Sequence, residues 1–287
     1  MIHGLGARTQ VPLAATRGAA RLLAVDDGGD TVRFAAPARR IVSLNPATTE
    51  ILFAIGAGDR LVGRTDACDY PAAAARVPSV GGGLPPNLEA VAARAPDLVV
   101  LYYGSTTAES AKRLRELNIP VLALRTDHLA DVSRVARVLG PVAGAARAAD
   151  SLAAAFDSAL ALARRGSHPA DAPGVLLLAW DQPLIVLGRG SFVSELVELA
   201  GARNVYDDLA SSSAPVSLEA VVERAPRAVL TLSGMSAGFA ERPEWRVVPA
   251  VRAGRVLALT ASALNRPSPR AAAAIAALRQ RLDSVLR

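Results

Sequence analysis

The chain has 287 residues, of which 51% are hydrophobic, and it carries 32 basic against 26 acidic side chains, a formal charge of +6. This length allows one large domain or two of ordinary size, and no apolar stretch of about 18 residues predicts a membrane span. The arginines are scattered and only 4% of the residues are aromatic, so nucleic acid is not an expected partner. The single cysteine, Cys68, excludes an intrachain disulfide and a cysteine-only metal cluster, and we expect it to be buried.

The first part of the chain combines an irregular start with two simple motifs. Residues 1–24 lack the apolar core of a signal peptide, so we expect a disordered or atypical N-terminal tail. An Asp-Gly-Gly turn within residues 25–34 predicts a β-hairpin. The apolar residues 41–44 predict a buried strand, and Thr48 or Thr49 is the expected N-cap of the helix that follows.

Strands and helices then alternate. Strands are predicted over residues 60–64 and 98–101, and a helix follows the polar loop at residues 102–107. Such alternation is typical of parallel sheets, which bind ligands beyond the carboxyl ends of their strands. We therefore expect a binding site formed by the loops at residues 45–49, 69–71 and 102–107.

The second half of the chain repeats the first. LEAVAARAPDLVVL (Leu88–Leu101) recurs as LEAVVERAPRAVLTL (Leu218–Leu232), and a closing strand at residues 119–125 recurs at residues 254–260. A repeat of about 130 residues is too long for a solenoid unit and favours two homologous lobes.

A long helix is predicted between the two repeats. Ala143–Arg165 is rich in Ala and Leu, and its apolar residues recur with the i, i+3, i+4 spacing of one helix face. At about 1.5 Å per residue such a helix spans the width of a small domain. We predict an α/β protein whose two lobes, with mainly parallel sheets, are joined by one long α-helix. The expected N-terminal lobe, bridging helix and C-terminal lobe are residues 25–142, 143–165 and 166–287.

Residues that catalyse reactions or hold metals are sparse. His3, His128 and His168 lack metal-binding spacing, and no nucleophile motif, Walker loop or CxxC pair is present. The carboxylates of Asp66 and Asp69 are interpreted as solvated turn residues. The glycines of residues 188–191 could cradle a phosphate, but they lack the rest of a nucleotide-binding fingerprint. We predict no catalytic residue and no metal site, and an enzyme is not expected.

Several segments resemble a known family. These are RIVSLNPATTEILFAIGAGDRLVG (Arg40–Gly63), the Asp-Tyr-Pro turn at residues 69–71, LEAVAARAPDLVV, and NRPSPR before an apolar closing helix. Their order and spacing resemble the periplasmic-binding-protein-like family with a helical backbone, the substrate-binding proteins of ABC importers for cobalamin, haem and iron–siderophore complexes. The resemblance implies a ligand in a largely preformed cleft between the lobes, an ABC importer permease as partner, a monomer, and a periplasmic or membrane-anchored extracytoplasmic location.

The resemblance is closest to the cobalamin-binding branch, which implies a corrinoid ligand and no resident cofactor. A corrinoid is a wide macrocycle fringed with amides, so its site needs flat aromatic faces and a few hydrogen-bond donors. Aromatic positions of that branch match Tyr102, Tyr70, and Trp180 or Trp245, and its basic residue matches Arg266. The predicted ligand-binding residues are Asn45, Tyr70, Tyr102, Tyr103, Ser105, Thr106, Trp180, Trp245 and Arg266. Ser262 and Ala263 depart from the branch, which often has an acid and an aromatic there.

Haem and ferric siderophores stay as alternative ligands. Haem binders that resemble this family often carry a tyrosine ligand where residues 81–83 are glycines, although Tyr102 or Tyr103 could ligate the iron. Siderophore binders tend to line the cleft with arginines, for which Arg189 and Arg266 are the candidates. A two-lobed α/β enzyme and a structural interaction module are the rival interpretations. The first needs a catalytic constellation in the cleft, and the second needs a surface without a pocket.

Two acidic residues are candidates for docking on the transporter. The family resemblance implies that an exposed acid on each lobe contacts the permease, and Glu109 and Glu241 match those positions.

Overall fold

In the computed structural model, residues 22–165, 172–232 and 237–286 are described. The remainder of the predicted tail, His3, His168 and part of the loop before Trp245 lie outside these ranges. Within them, no helix combines the length and the hydrophobicity that crossing a bilayer requires.

The first lobe is built on a four-stranded parallel sheet with the order β4-β3-β5-β6. It is preceded by the predicted hairpin, whose strands β1 and β2 pair antiparallel. Residues 22–24, which were assigned to the tail, belong to β1. The strands are β1 (Leu22–Val25), β2 (Thr31–Phe34), β3 (Ile41–Ser43), β4 (Leu61–Arg64), β5 (Leu98–Tyr102) and β6 (Val121–Leu124), and the helices are α1 (Pro46–Ala54), α2 (Leu88–Ala92), α3 (Ser105–Glu116) and α4 (Ala130–Val142).

The expected N-cap of α1 is corrected by the structure. Asn45 caps the helix, because its Oδ1 accepts a hydrogen bond from the backbone N–H of Ala47 at 2.9 Å, and Pro46 occupies the first helical position. The hydroxyls of Thr48 and Thr49 donate instead to the Asn45 carbonyl, at 2.9 and 3.2 Å. The helix therefore begins three to four residues earlier than predicted.

The bridging helix, α5 (Ala146–Arg165), is continuous and begins three residues after its predicted start. Residues 143–145 form a tight turn after α4, in which Gly144 has a φ of 64°. A Cβ on Gly140 of α4 would lie 2.3 Å from the Ala149 Cβ, so the glycine lets the two helices approach closely. α5 packs along α4 and also contacts two helices of the second lobe, at Phe192–Leu199 and Ala271–Leu286. The predicted connection by one long helix is confirmed.

The second lobe contains a mixed six-stranded sheet with the path β10-β8-β7-β11-β12, and β9 pairs with β7. The pairs of β7 with β9 and β11, and of β11 with β12, are parallel as expected, whereas β8 and β10 run antiparallel at one edge. The strands are β7 (Gly174–Asp181), β8 (Leu184–Leu187), β9 (Arg203–Asn204), β10 (Ser213–Pro215), β11 (Ala228–Leu232) and β12 (Val256–Leu259), and the helices are α6 (Phe192–Leu199), α7 (Leu218–Glu223), α8 (Pro249–Arg252) and α9 (Ala271–Leu286).

One apolar core extends through both lobes. Ile41 and Leu98 of the first sheet, Phe156 and Leu160 of α5, and Leu230 of the second sheet belong to a single cluster of buried side chains. The bridging helix is therefore part of the core of both lobes. Its buried apolar side chains stabilise both lobes, because burial of apolar surface is the main favourable contribution to folding.

Candidate functional site

A cavity of about 610 Å³ lies between the two lobes. The carboxyl end of β5 and the residues after β3 and β6 form its first wall, and the end of β8 with the start of α6 contributes to the second. Residues 265–267, which precede α9, close one side. Two of the three predicted loops, those at residues 45–49 and 102–107, contribute side chains to the cavity. The loop at residues 69–71 does not line it, and residues 126–128 take part although they were not predicted.

Asn45 lies in the first wall and is held rigidly there. Its Oδ1 caps α1, and its Nδ2 donates to the Thr126 hydroxyl at 3.0 Å. The side chain is 7% exposed. These bonds fix an amide edge at the cavity surface before a ligand is present.

Tyr102 lines the same wall at the carboxyl end of β5. Its hydroxyl donates to Asp127 Oδ1 at 2.8 Å. Burial raises the pKa of the Tyr102 phenol, and the Asp127 carboxylate raises it further, because ionisation would place two negative charges side by side. The cavity therefore contains a protonated tyrosine held by a carboxylate.

His128 joins the two lobes at the edge of the cavity. Its Nδ1 pairs with Glu195 Oε1 of α6, and Glu195 Oε2 accepts the backbone N–H of Leu129 at 3.0 Å. The backbone N–H groups of Asp127 and His128 donate to Asp131 Oδ2 at 2.9 and 3.0 Å, which holds this loop at the start of α4. The hydrogen bond with Glu195 raises the pKa of His128 more than burial lowers it.

A second connection between the lobes is a buried ion cluster. Glu50 of α1, whose side chain is 2% exposed, accepts from Arg266 Nε at 2.8 Å and from Arg270 Nη2 at 2.5 Å. Arg266 also donates to the Ala67 carbonyl at 3.0 Å and pairs with Asp69. Arg266 lines the cavity as predicted, but three of its nitrogens donate within the protein. In this structure Arg266 therefore holds the segment before α9 against the first lobe.

A smaller cavity of about 270 Å³ adjoins the first. The two share Asn45, Pro46, Tyr102 and Thr126 as lining residues, and the smaller one continues to Leu84 and to Thr106, the second residue of α3. Leu84 is 71% exposed at this position. The adjoining cavities together offer room for a ligand with a broad body and an appended group.

Three other predicted residues of the first lobe lie outside the main cavity. Tyr70 is 41% exposed, and the Arg270 guanidinium lies 3.8 Å from the centre of its ring. Tyr103 turns toward the β1–β2 hairpin, where it lines a small cavity of about 100 Å³ and lies 4.9 Å below the Arg125 guanidinium. Ser105 is exposed at the start of α3.

The two tryptophans of the second lobe also lie away from the cavity lining. Trp180 is 48% exposed at the end of β7, and its indole N–H donates to the Gln182 carbonyl at 2.7 Å. Trp245 is 2% exposed and packs edge-to-face on Phe239 with a ring separation of 5.0 Å. In the structure Trp245 belongs to the core of its lobe.

The remaining predicted features occupy exposed or structural positions. Glu109 is 64% exposed and pairs with Arg113 one helical turn away, and Glu241 is exposed after β11. A Cβ on Gly188 or Gly190 would lie 2.3 Å from the Ser211 carbonyl or 2.6 Å from that of Ala210. These two glycines are therefore needed for close approach of the backbone before β10. Cys68 is buried beside Thr49, as expected.

Sequence reasoning missed several polar residues of the cavity wall and of the contacts between the lobes. Asp127, His128 and Glu195 were not identified as site residues, and neither was Glu50. The available signal was topological: residues 125–129 follow β6 at the same carboxyl edge as the loops that were predicted. No sequence pattern indicates that residues 67 positions apart would pair.

Comparisons with known proteins agree with this architecture. A family model described as periplasmic binding protein matches residues 41–263. A vitamin B12-binding protein of Vibrio parahaemolyticus is 26% identical over 252 residues, covering 88% of this chain and 92% of the relative. An ABC transporter substrate-binding lipoprotein of Bacillus subtilis is 29% identical over 240 residues, covering 81% and 76%.

A solved structure shows the same fold. The periplasmic haem-binding protein RhuT of Roseiflexus sp. RS-1, in its apo form, superposes with a TM-score of 0.77 at 26% identity, covering 87% of this chain and 99% of that one. The family model spans most of both lobes, and the lobes, the bridging helix and the interlobe cleft are all present. The chain therefore belongs to the periplasmic binding protein family.

Proposed function

We propose that this chain is the extracytoplasmic substrate-binding protein of an ABC importer and that it captures a corrinoid between its lobes for delivery to a membrane permease. The observation that carries this proposal is the interlobe cavity, in which an aromatic side chain and amide and hydroxyl groups lie on preformed walls. A cleft that combines apolar surface with many polar groups suits a macrocycle fringed with amides. The vitamin B12-binding and ABC-transporter relatives support the same assignment.

The proposed binding mode uses both adjoining cavities. The macrocycle occupies the larger one beside Tyr102, and an appended group extends past Asn45 toward Thr106 in the smaller one. Asn45 Oδ1 and Nδ2 are already bonded, so it presents a fixed polar edge, whereas exposed Thr106 is available as a donor. In this proposal the protein binds and delivers its ligand and catalyses no reaction.

Haem is the second candidate ligand, because a haem-binding protein shares the fold at a TM-score of 0.77. A tyrosinate–iron bond at Tyr102 is disfavoured, because the hydroxyl of Tyr102 donates a hydrogen bond to Asp127 and its raised pKa keeps it protonated. A ferric siderophore is less favoured. Arg189 is exposed and does not line the cavity, and Arg266 is bonded to Glu50, Ala67 and Asp69.

A titration of the purified protein with cyanocobalamin, haemin and a ferric hydroxamate tests the proposal. Because all three ligands absorb visible light, equilibrium dialysis with absorbance detection reports each affinity directly. We expect saturable one-to-one binding of cyanocobalamin and weaker binding of the other two. Binding of haemin alone would favour the second candidate, and the absence of binding to all three would overturn the assignment to this ligand class.

A further inference from the structure

His128 has the surroundings that metal-binding histidines usually have. Its Nδ1 pairs with one oxygen of Glu195, and the other oxygen of that carboxylate is held by the Leu129 N–H at 3.0 Å. A metal-binding histidine almost always donates its second ring N–H to such an acceptor, which fixes the ring and makes the remaining nitrogen more basic. When Nδ1–H donates to Glu195, the neutral ring carries its lone pair on Nε2.

That nitrogen is available to a ligand in the cleft. His128 lines the main cavity, its side chain is 52% exposed, and its Nε2 makes no hydrogen bond within the described part of the chain. Two other side chains on this wall have atoms that can bind a metal, Tyr102 and Asp127, and they are bonded to each other because the Tyr102 hydroxyl, whose pKa is raised, donates to Asp127 Oδ1 at 2.8 Å. The imidazole is therefore a better ligand than either member of that pair.

The described residues also indicate what kind of metal would be bound. No group of three or more His, Cys, Asp or Glu side chains within them could hold a free metal ion. A single imidazole suits a metal that a macrocycle already chelates and that needs only one axial ligand. The proposed function supplies a ligand of that kind.

We propose, on the basis of that function, that His128 Nε2 coordinates the metal of the bound macrocycle and that the cleft thereby selects metal centres with an exchangeable axial ligand. With aquacobalamin, the bond from cobalt to water breaks as the Co–N bond forms. Neutral water leaves, and the metal stays Co(III). Cyanocobalamin holds that position with cyanide and binds without coordination. Glu195 acts as the positioning residue, since it orients the ring and does not touch the metal.

The test compares visible spectra of the protein with aquacobalamin and with cyanocobalamin near pH 8, because Glu195 raises the pKa of His128 and a mildly alkaline solution favours the neutral ring that can bind a metal. We expect bound aquacobalamin to show the spectrum of an imidazole-ligated corrinoid, and bound cyanocobalamin to keep its own spectrum. His128→Ala should bind both corrinoids and lose the spectral change, and added imidazole should restore it. Glu195→Gln should retain the change but weaken aquacobalamin binding by about 10-fold to 100-fold, the usual effect of losing the partner of a metal-bound histidine.

The same variants with haemin distinguish the two macrocycles. A low-spin spectrum that is lost in His128→Ala and kept in Tyr102→Phe supports the inference with haem as the ligand. Bound aquacobalamin that keeps its water-ligated spectrum, or a spectral change that survives in His128→Ala, overturns it while leaving the proposed function intact. If neither macrocycle binds, both the proposed function and this inference fail.

Discussion

Asn45 serves folding and the site at once. Its carbonyl and Oδ1 organise the first turn of α1, and its Nδ2 holds Thr126 on the neighbouring loop. Tyr102 is likewise bonded to Asp127 before a ligand arrives. Side chains fixed in this way lose little freedom on binding, so the first wall of the cleft is preorganised.

Substitution of Tyr102 tests its part in binding. We expect Tyr102→Ala to weaken cobalamin binding by about 1–3 kcal/mol, the usual loss when a well-packed aromatic is truncated at an interface. Tyr102→Phe should cost little, because it keeps the ring and removes only the bond to Asp127. Isothermal titration with cyanocobalamin measures both. Unchanged affinity in Tyr102→Ala would show that the ring does not contact the ligand, and Tyr103→Phe, outside the main cavity, is the control.

Glu50 should be among the most sensitive polar residues for stability. Glu50→Gln leaves Arg266 and Arg270 without their buried counter-charge, and we expect the free energy of unfolding to fall by about 3–5 kcal/mol. Glu109→Gln is the matched control, since Glu109 pairs with Arg113 at 64% exposure and such pairs contribute about 1 kcal/mol or less. Urea unfolding followed by circular dichroism compares the two. Equal midpoints would contradict a structural role of the Glu50 cluster.

At the scale of elements, long helices were predicted from sequence patterns, whereas the direction of a short strand and the burial of one tryptophan were not. The apolar stripe of α5 and the closing helix at Ala271–Leu286 were predicted because a helical period extends over many residues. The antiparallel course of β8 was not predicted, because the four apolar residues Leu184–Leu187 carry no signal of strand direction. The burial of Trp245 was not predicted either, because the helical turn that contains it has only five residues and is too short for a repeating hydrophobic pattern to define a buried face.

The site followed the same rule. The position of Asn45 and Tyr102 in the cavity wall could be predicted because loops at the carboxyl ends of parallel strands share one edge. Glu195 was not found, since it reaches His128 only through the relative placement of two lobes, which depends on how α5 packs on both.

The contribution of the α4–α5 contact to stability should decrease at low pH. Asp157 of α5 accepts from Ser133 at 2.5 Å and from Arg137 at 2.9 Å, and the bond from Ser133 is the main reason that its pKa is lowered. A carboxylate with a lowered pKa stabilises the fold above its unfolded pKa of about 3.9, and this contribution disappears as the pH falls through the folded value.

Asp157→Asn should therefore be less stable than the parent protein at neutral pH. The difference should stay below about 1 kcal/mol, because the side chain is 46% exposed, and it should shrink below about pH 4. Thermal unfolding at several pH values measures it. Asp150→Asn, exposed on the same helix, is the control, and a difference that persisted at low pH would contradict the role of the charge.

At the scale of the whole molecule, the lobes are joined by three kinds of contact. α5 contributes to one apolar core shared by both sheets, Glu50 binds the arginines before α9, and His128 pairs with Glu195 beside the cavity. These contacts restrict the lobes to small relative movements, so a ligand is expected to meet a cleft close to its final shape.

Transport should depend on exposed acids on both lobes. We expect Glu109→Arg with Glu241→Arg to abolish uptake while leaving ligand affinity unchanged, since both residues are exposed outside the cavity lining and reversed charges disturb docking. Uptake of labelled cobalamin by cells carrying the partner permease measures this. The control reverses Glu116 and Glu244, which are 61% and 51% exposed, and should transport normally. Normal uptake in the first double variant would contradict the docking role.

The buried carboxylate of Glu50 also constrains how this protein can exchange parts with its relatives during evolution. A recombinant that took its first half from one parent and its second half from another would inherit position 50 separately from positions 266 and 270. Without a matching set, the hybrid would enclose uncompensated charge between its lobes. Such a hybrid is therefore expected to be less stable than either parent unless positions 50, 266 and 270 still match in charge.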